Sequence, residues 1–176
     1  MSEQSARYQR SPGGLVAALG VLVVLIIGWV VFRAVFVPNP ATPQRTVDYA
    51  GAVGPAREAA RFDLVAPATL PAGWRATSVR FTTGGRQHWH LGVLTDGRRY
   101  VGLEQGQQSV PDMVQTYVDP AASRGEPVVV RGQRWATYTD GGGDLALVRH
   151  AGRTTTLVVG HDVGRAELAG YTARLR

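Results

Sequence analysis

Two histidines, His88 and His90, are the residues of this sequence whose spacing best suits chemistry. They lie in a stretch that alternates large apolar residues with polar or small ones, which is typical of a β-strand. Because alternate side chains of a strand point to the same face, both imidazoles are expected on one side, a geometry that can bind zinc or copper. A metal site needs a third ligand, and the candidates are Glu104 on the neighbouring strand, His150 and His161.

The alternative interpretation is that the histidine pair is a set of polar residues on a solvated strand face or at a strand edge. A His-x-His pattern is common in strands, and the sequence fixes no third ligand for the pair. We therefore predict neither a metal nor a cofactor, with His88, His90 and Glu104 as the residues that would be tested for metal binding.

Motifs for nucleophilic or acid–base catalysis are missing from the sequence. The nearest approach to Gly-x-Ser-x-Gly is AASRG at 121–125, which lacks the first glycine and falls in an expected loop. Asp140 and Asp144 flank three glycines, and a hairpin loop explains that pair of carboxylates. The chain has neither cysteine nor lysine, which excludes thiolate, P-loop and Schiff-base chemistry. We predict that the protein is not an enzyme.

Three tryptophans of the globular part could line a ligand groove or fill its core. Trp89 and Trp135 fall on predicted strands with apolar companions, and we predict that both belong to the core. Trp74 follows a turn, where either role fits it, so it stays a binding candidate.

Arginines make the chain basic without forming a patch. The chain carries 19 basic and 13 acidic side chains, a formal charge of +6. A nucleic-acid site would need clustered basic residues with interleaved aromatic ones, whereas Arg98 and Arg99 are the only adjacent pair here. We predict no nucleic-acid partner. A solvated mixed surface explains the pattern, and so does contact with an envelope protein or an anionic envelope component.

The elements that would position these residues are strands joined by tight turns, with helices between them. Turns such as Asp96-Gly97 are typical of hairpins, and hairpins imply a mainly antiparallel sheet, whose apolar face the helices would cover. The predicted fold class is α+β, in the order α-βββ-α-ββββ-α. Helices are expected over 48–61 (or from Pro55 onward), over 110–118 and from Asp162, and strands over 75–83, 87–95, 99–105, 127–131, 133–139, 145–150 and 153–159.

An uncharged segment of 22 residues, Ser11 to Phe32, precedes the globular part. As a helix it would span roughly 33 Å, close to the thickness of the hydrocarbon core of a bilayer. A cleaved signal peptide is the alternative, but small residues do not occupy the positions that a cleavage site needs. We predict a cytoplasmic tail over 1–10, an N-terminal transmembrane helix in the lipid bilayer over 11–37, a proline-rich linker over 38–47 and an exported domain over 48–176.

The charges that flank the apolar segment bear on its orientation. Arg7 and Arg10 precede it, while Arg33 and Arg45 follow it, so the charge count alone is almost balanced. A short basic tail before an apolar run is the form of a signal anchor. We therefore expect a single-pass protein of the cell membrane, with its N-terminus in the cytoplasm and its C-terminal domain extracytoplasmic.

Four stretches of the sequence resemble an actinobacterial family of membrane-anchored proteins that carry domain of unknown function 4245. The resemblance covers residues 15 to 175 and implies a single N-terminal span, an exported domain and no particular activity. The first three stretches are LPAGWRATSVR at 70–80, WHLGVLT at 89–95 and YVGLEQ at 100–105, and the fourth is GQRW at 132–135. If the Trp-His-x-Gly stretch has a role in the family, His90 is the residue to test, as a second binding candidate beside Trp74.

Together these features favour a membrane-tethered envelope domain that binds or interacts with a partner and performs no catalysis. An anchor holds such a domain at high local concentration, so that modest contacts suffice for binding. One alternative is an exported carrier or sensor with a cavity for a lipid or small ligand between sheet and helices. The other is a metal-binding domain that uses His88 and His90.

Overall fold

The computed structural model describes residues 46–176, and its elements follow the predicted order. The expectation of an α+β fold is confirmed. The helices are α1 (Ala50–Ala59), α2 (Val110–Tyr117) and α3 (Arg165–Thr172). The strands are β1 (Arg75–Thr82), β2 (His88–Leu94), β3 (Tyr100–Gly106), β4 (Ser123–Val130), β5 (Gln133–Thr139), β6 (Asp144–Ala151) and β7 (Thr154–His161).

The membrane segment predicted from the sequence falls outside the described residues. This applies to the tail over 1–10, the transmembrane helix over 11–37 and all but the last two residues of the linker. Within 46–176, none of the helices combines the length and apolar character needed to cross a membrane. The anchor therefore stays a prediction from the sequence.

The strands form one seven-stranded sheet in the order β1-β2-β3-β7-β6-β5-β4. Each neighbouring pair is antiparallel, as the hairpin turns predict. Two meanders, β1-β2-β3 and β4-β5-β6-β7, are thus joined along β3 and β7, between the pairs Val101↔Gly160 and Gly106↔Thr155. Helix α2 lies in the connection between the two meanders.

Alternation along the strands sorts the core onto two faces of the sheet, of which the first is the larger. On the first face, Trp89 and Trp135 are 0% and 4% exposed, which confirms that both are core residues. Side chains of α1 and α3 belong to the same core, among them Ala56 and Leu168. The first face is therefore the apolar face that the helices cover.

The second face has a smaller core on one half only. Helix α2 packs mainly on β6 and β7, and its Met113 and Val114 are buried there. On the other half, β1–β3, the second-face positions hold mostly polar residues and glycines. We call this half the polar face, and it consists of the second-face residues of β1, β2 and β3, including Ser78, Arg80, His88, His90, Gly92, Tyr100, Gly102 and Glu104.

Helix boundaries agree with the sequence except where a local conformation intervenes. Ser109 accepts a hydrogen bond from the Asp112 amide at 3.3 Å and begins α2 as an N-cap. Helix α1 continues through Pro55 instead of starting there. The prediction that the last helix starts at Asp162 is wrong, because this residue has φ 54° and cannot be helical, so α3 begins at Arg165 after Gly164.

Candidate functional site

Strand pairing brings the candidate site residues together on the polar face. His90 lies opposite Glu104 in the β2–β3 ladder and opposite Arg80 in the β1–β2 ladder. Ser78 precedes Arg80 by two residues and points to the same face. His88, two residues before His90, also lies beside Glu104. Tyr117 of α2 joins four of these strand residues. We call the five together the histidine–glutamate cluster: Ser78, His88, His90, Glu104 and Tyr117.

A row of short hydrogen bonds crosses the three strands of the polar face. Nε2 of His90 lies 2.8 Å from Oγ of Ser78, and Nδ1 of His90 lies 2.6 Å from Oε1 of Glu104. A charged carboxylate can only accept, so Nδ1 donates to Glu104 when Glu104 is ionised. On a neutral ring, Nε2 then accepts from the Ser78 hydroxyl. Both nitrogens of His90 are therefore satisfied by side chains of the two neighbouring strands.

The second imidazole approaches Glu104 from the other side. Nε2 of His88 lies 3.2 Å from Oε2 of Glu104 and 3.1 Å from the hydroxyl oxygen of Tyr117. The His88 and Tyr117 rings are stacked, with centroids 5.4 Å apart and planes 4° from parallel. The approach of His88 to Glu104 lacks the angles of a hydrogen bond, so Oε2 has no hydrogen-bond partner among the described residues. A buried carboxylate oxygen is thus left unsatisfied at the centre of the cluster.

Burial determines how the cluster holds protons. Glu104 is only 3% exposed, and its removal from water raises the pKa of its carboxyl, while the His90 hydrogen bond and the charges of His90 and Arg80 oppose that rise. Burial also lowers the pKa of His88, and repulsion by His90 and Arg80 adds to this effect. Both shifts favour the neutral forms of the two side chains.

Glycines on β2 and β3 make the close packing of the polar face possible. A Cβ atom on Gly92 would lie 2.3 Å from Oγ of Ser78 and 2.9 Å from the hydroxyl oxygen of Tyr100. A Cβ atom on Gly102 would lie 3.2 Å from the Tyr100 ring. Burial and the nearby charge of Glu104 raise the pKa of Tyr100 to about 12. Tyr100 thus lies against two glycines, with a neutral hydroxyl close to Ser78.

Ser78, His90 and Glu104 are connected in the order of a Ser-His-acid triad. In such a triad the imidazole takes the hydroxyl proton, and the acid fixes the orientation and tautomer of the ring. Ser78 lies inside strand β1, however, whereas nucleophilic serines of the hydrolase elbow sit on an exposed turn. The four cavities that we describe in residues 46–176 are lined by other residues. The arrangement can therefore present hydrogen-bonding groups to a partner or polarise a hydroxyl group.

The contacts of the four histidines bear on the metal hypothesis. His88 and His90 direct ring nitrogens at separate oxygens of Glu104. His150 and His161, the other candidate ligands, instead contact the Thr155 hydroxyl and the Asp144 carboxylate, each at 2.9 Å. Within residues 46–176, no group of three or more histidine, cysteine or acidic side chains has an arrangement that could hold a metal ion.

Trp74, the other binding candidate, lies on the first face and away from the cluster. Its ring is half-buried and stacks on Tyr171, with centroids 5.5 Å apart. Tyr171 is 1% exposed, and burial raises the pKa of its hydroxyl, which has no hydrogen-bond partner among the described residues. Trp74 therefore covers a core residue, and the structure does not bring it together with His90.

Two members of the cluster, Ser78 and Tyr117, have no motif that reveals them in the sequence. The register of β1 and β2 shifts only beyond Ser78, between Ala76 and Ser78, so counting back from the hairpin turn pairs Ser78 with Gly92. That pairing by itself does not connect Ser78 with His90. Tyr117 fits the apolar stripe of its own helix. The usable signal is the alternation of polar and apolar residues along β1, where Ser78 and Arg80 alternate with Val79 and Phe81. It places Ser78 and Arg80 on the same face of the strand.

Comparison with known proteins gives a family and no activity. A family model described as "Protein of unknown function (DUF4245)" matches residues 7–174. No curated protein and no solved structure matches the chain. Since the family match extends over nearly the whole sequence, the chain belongs to the DUF4245 family of proteins of unknown function.

Proposed function

We propose that the chain is a single-pass protein of the cell membrane whose extracytoplasmic domain binds an envelope protein and catalyses no reaction. The observation that carries the proposal is the polar face, because its hydrogen-bonding groups are grouped on the half of the sheet away from the main packing of α2. The uncharged segment within 11–37 supports the membrane location, and the basic tail supports a cytoplasmic N-terminus.

The charges of the polar face favour an acidic surface on the partner. Arg80 is exposed and lies beside His90, whereas the acidic residue of this face, Glu104, is buried within the cluster. The face therefore presents positive charge and hydrogen-bond donors to the solvent. Residues 46–176 as a whole carry 15 arginines against 12 acidic residues, so the remaining surface does not oppose an acidic partner.

The location is tested by protease accessibility in intact spheroplasts that express the full chain with a C-terminal epitope tag. Digestion of the domain from outside, with the N-terminal tail protected, is the expected result. Protection of the domain until the membrane is lysed would overturn the location. A control protein of known cytoplasmic position must stay intact in the same sample.

Partner binding is tested by photo-crosslinking from Thr82, an exposed residue of β1 on the polar face. We expect one crosslinked envelope protein, which Arg80→Glu abolishes by placing like charges opposite each other. The matched control is Arg153→Glu, which makes the same charge change at an exposed residue in the β6–β7 turn region. A crosslink that survives Arg80→Glu, or that both variants abolish equally, contradicts binding through the polar face.

Acyl transfer is the second candidate function, because the 2.8 Å and 2.6 Å contacts of His90 are those of a Ser-His-acid triad. In that case the Ser78 oxygen would attack an ester carbonyl and pass its proton to His90, and His90 would return the proton to the leaving alcohol. A fluorophosphonate probe tests it, with the labelled residue located by mass spectrometry. Labelling of Ser78 in the native chain but not in His90→Ala supports a hydrolase, and absence of labelling supports the binding role.

A further inference from the structure

A cavity of about 300 Å³ lies on the first face, away from the polar face. Its walls come from β5, β6 and β7, from the turn after β4 and from the chain at the end of α3. Its size is at the lower end of the range of small-molecule sites. We call it the arginine cavity, and the residues that matter here are Arg131, Gln133, Trp135, Arg149, Thr156 and Thr172.

Two buried donors in the walls of the arginine cavity are unpaired. The indole nitrogen of Trp135 and Nε of Arg149 have no hydrogen-bond partner in the part of the chain that the structure describes. Trp135 is 4% exposed, so bulk water does not satisfy its N–H group. The Arg149 guanidinium carbon lies 5.5 Å from the Trp135 ring centroid, a cation–π contact that holds the two donors close together. Buried N–H groups normally have acceptors, so an acceptor from outside the chain would be stabilised here once the cavity wall shifts enough to expose the two N–H groups.

The charge of the arginine cavity is positive. Arg131, Arg149 and Arg176 line it, and no aspartate or glutamate does. Among residues 46–176, neither Arg131 nor Arg149 has a carboxylate within 4.0 Å. The main-chain oxygen of Arg176 already has two donors, because it accepts from Nη2 of Arg57 at 2.6 Å and from the Ala66 amide at 3.1 Å.

The β4–β5 turn places Arg131 at the cavity in a strained backbone conformation. Arg131 has φ 50° and Gly132 has φ 75°, so the β4–β5 turn uses the left-handed conformation at both residues. Glycine adopts that conformation freely, and asparagine and aspartate do so more readily than arginine. A long cationic side chain at such a position, on the rim of a positive cavity, is consistent with a role in contacting a ligand.

A second cavity that shares Arg149 is also lined by arginines. The β5–β6 ladder ends at the pair Ala136↔Val148, and Arg149 follows directly after it. Arg149 lines a second cavity, of about 440 Å³, together with Arg124 and Arg134, and no acidic residue lines that one. The arginines at both cavities therefore all attract an anion bound in the arginine cavity.

We propose that the arginine cavity binds a small ligand through an anionic oxygen group, a phosphate or a carboxylate. The guanidinium groups of Arg131 and Arg149 supply charge-assisted hydrogen bonds, and the indole N–H of Trp135 supplies a neutral one from the buried wall. Thr156 and Thr172 line the same cavity with hydroxyl groups. The Thr172 hydroxyl donates to the Leu168 carbonyl at 2.8 Å, so toward a ligand it can only accept, whereas the Thr156 hydroxyl can donate or accept. The site uses none of the residues of the polar face, so it is independent of the proposed binding to an envelope protein.

The test measures binding and thermal stabilisation of the full chain in mild detergent at low salt. The probes are inorganic phosphate, glycerol 3-phosphate, acetate and dihexanoyl phosphatidylglycerol below its micellar concentration, with glycerol as the neutral control. Saturable binding of at least one anion, with a rise in Tm, is expected. Binding of the short lipid alone identifies a lipid headgroup as the source, and binding of the water-soluble probes identifies a free anion.

Three variants locate the site. Arg131→Gln removes an exposed cation and should weaken binding about tenfold, while Trp135→Phe keeps the aromatic packing, removes the N–H group and should weaken binding severalfold. Arg153→Gln, an equal charge change in the exposed β6–β7 turn, should leave binding unchanged. The proposal is overturned if no anion binds saturably, or if Arg131→Gln and Arg153→Gln weaken binding equally, which would mean that only the overall charge matters.

Discussion

The buried carboxylate of Glu104 is the residue whose replacement should disturb the cluster most. Glu104→Ala removes the acceptor of His90 Nδ1 and leaves polar groups unpaired in a buried space. We expect a loss of about 3 kcal/mol in the free energy of unfolding, because the substitution leaves a buried donor without its acceptor and opens a cavity in the cluster. The measurement is urea unfolding in mild detergent, followed by the fluorescence of the buried tryptophans.

Glu104→Gln is the matched control for that substitution. The amide keeps an oxygen for His90 and places a donor where Oε2 of Glu104 has no partner. A change within about 1 kcal/mol is expected, because the hydrogen bonds are kept and the charge that burial disfavours is removed. Equal losses for the alanine and glutamine variants would show that the cluster does not depend on the hydrogen bonds of this residue.

His88 gives the stability of the domain a dependence on pH. Its pKa is lowered in the folded state, chiefly by burial, so its protonation opposes folding. The stability that the neutral ring contributes is fully present above the ordinary value of 6.5 and is lost as the pH falls through the lowered folded value. We predict that His88→Gln loses less free energy of unfolding than the native chain between pH 7.5 and pH 5. Parallel losses in urea titrations at the two pH values would contradict this.

Residue identity alone therefore predicted part of the site. The alternation at His88 and His90 indicated a shared face, and the neighbouring strand supplied Glu104 as expected. Ser78 was not identified in this way, because it pairs with Gly92 and reaches His90 only diagonally across the ladder, a contact that a serine within a strand does not reveal. Tyr117 reaches the cluster from another element, and only the packing of α2 on the sheet brings it there.

At the scale of elements, α3 and β7 pack so closely that one glycine is fixed by its neighbours. A Cβ atom on Gly160 would lie 2.7 Å from Cβ of Val163 and 3.2 Å from Cδ1 of Leu168. We predict that Gly160→Ala lowers the free energy of unfolding by about 1–3 kcal/mol, the usual effect of overpacking. Thermal and urea unfolding monitored by circular dichroism measure the change.

Gly170, within α3, provides the opposite case for the same substitution. A Cβ atom there would meet no other atom within 4 Å, and alanine favours a helix. We expect Gly170→Ala to raise the free energy of unfolding by about 0.5–1 kcal/mol. Destabilisation by this variant would show that α3 packs differently from the arrangement described.

Elements were the level that sequence patterns predicted best. Alternation and turn residues located the seven strands, because both signals act over a few neighbouring residues. The predicted start of β4 was wrong, since the strand begins at Ser123 and so includes residues of the AASRG stretch that was expected in a loop. The start of α3 was missed because Asp162 looks like a helix cap but adopts a left-handed conformation, with its amide bonded to the Gly143 carbonyl at 3.0 Å. Gly143 belongs to the β5–β6 hairpin, so the residues next to Asp162 in the sequence give no sign of this contact.

At the scale of the whole molecule, the sheet has two edges, β1 and β4. Val129 on β4 is 68% exposed, an apolar side chain on a strand with one unpaired side. Such an edge is open to pairing with another chain. We predict that Val129→Lys changes the free energy of unfolding by less than about 0.5 kcal/mol and slows aggregation on heating. Light scattering during heating measures the aggregation rate. The control is Thr139→Lys, at an exposed position on the internal strand β5, which should change aggregation less.

Fold class followed from the sequence, whereas the way the two meanders join did not. Hairpin signals specify each meander, but no turn connects β3 to β7, whose pairing depends on the helix and loop between the meanders. The histidine–glutamate cluster is also only partly a property of one meander. Ser78, His90 and Glu104 come from the first meander, and Tyr117 comes from the connection to the second.

The pairing of β3 with β7 also bears on the order in which the molecule assembles. Its partners are 49 to 59 positions apart in the chain, while every other strand pair is formed by consecutive strands. Closing a long loop costs more chain entropy than closing a hairpin, so each meander can begin to form before the two join. The hydrogen bonds of Ser78, His90 and Glu104 lie within the first meander, so they can form before the two meanders join. The cores on both faces are completed only when β3 pairs with β7.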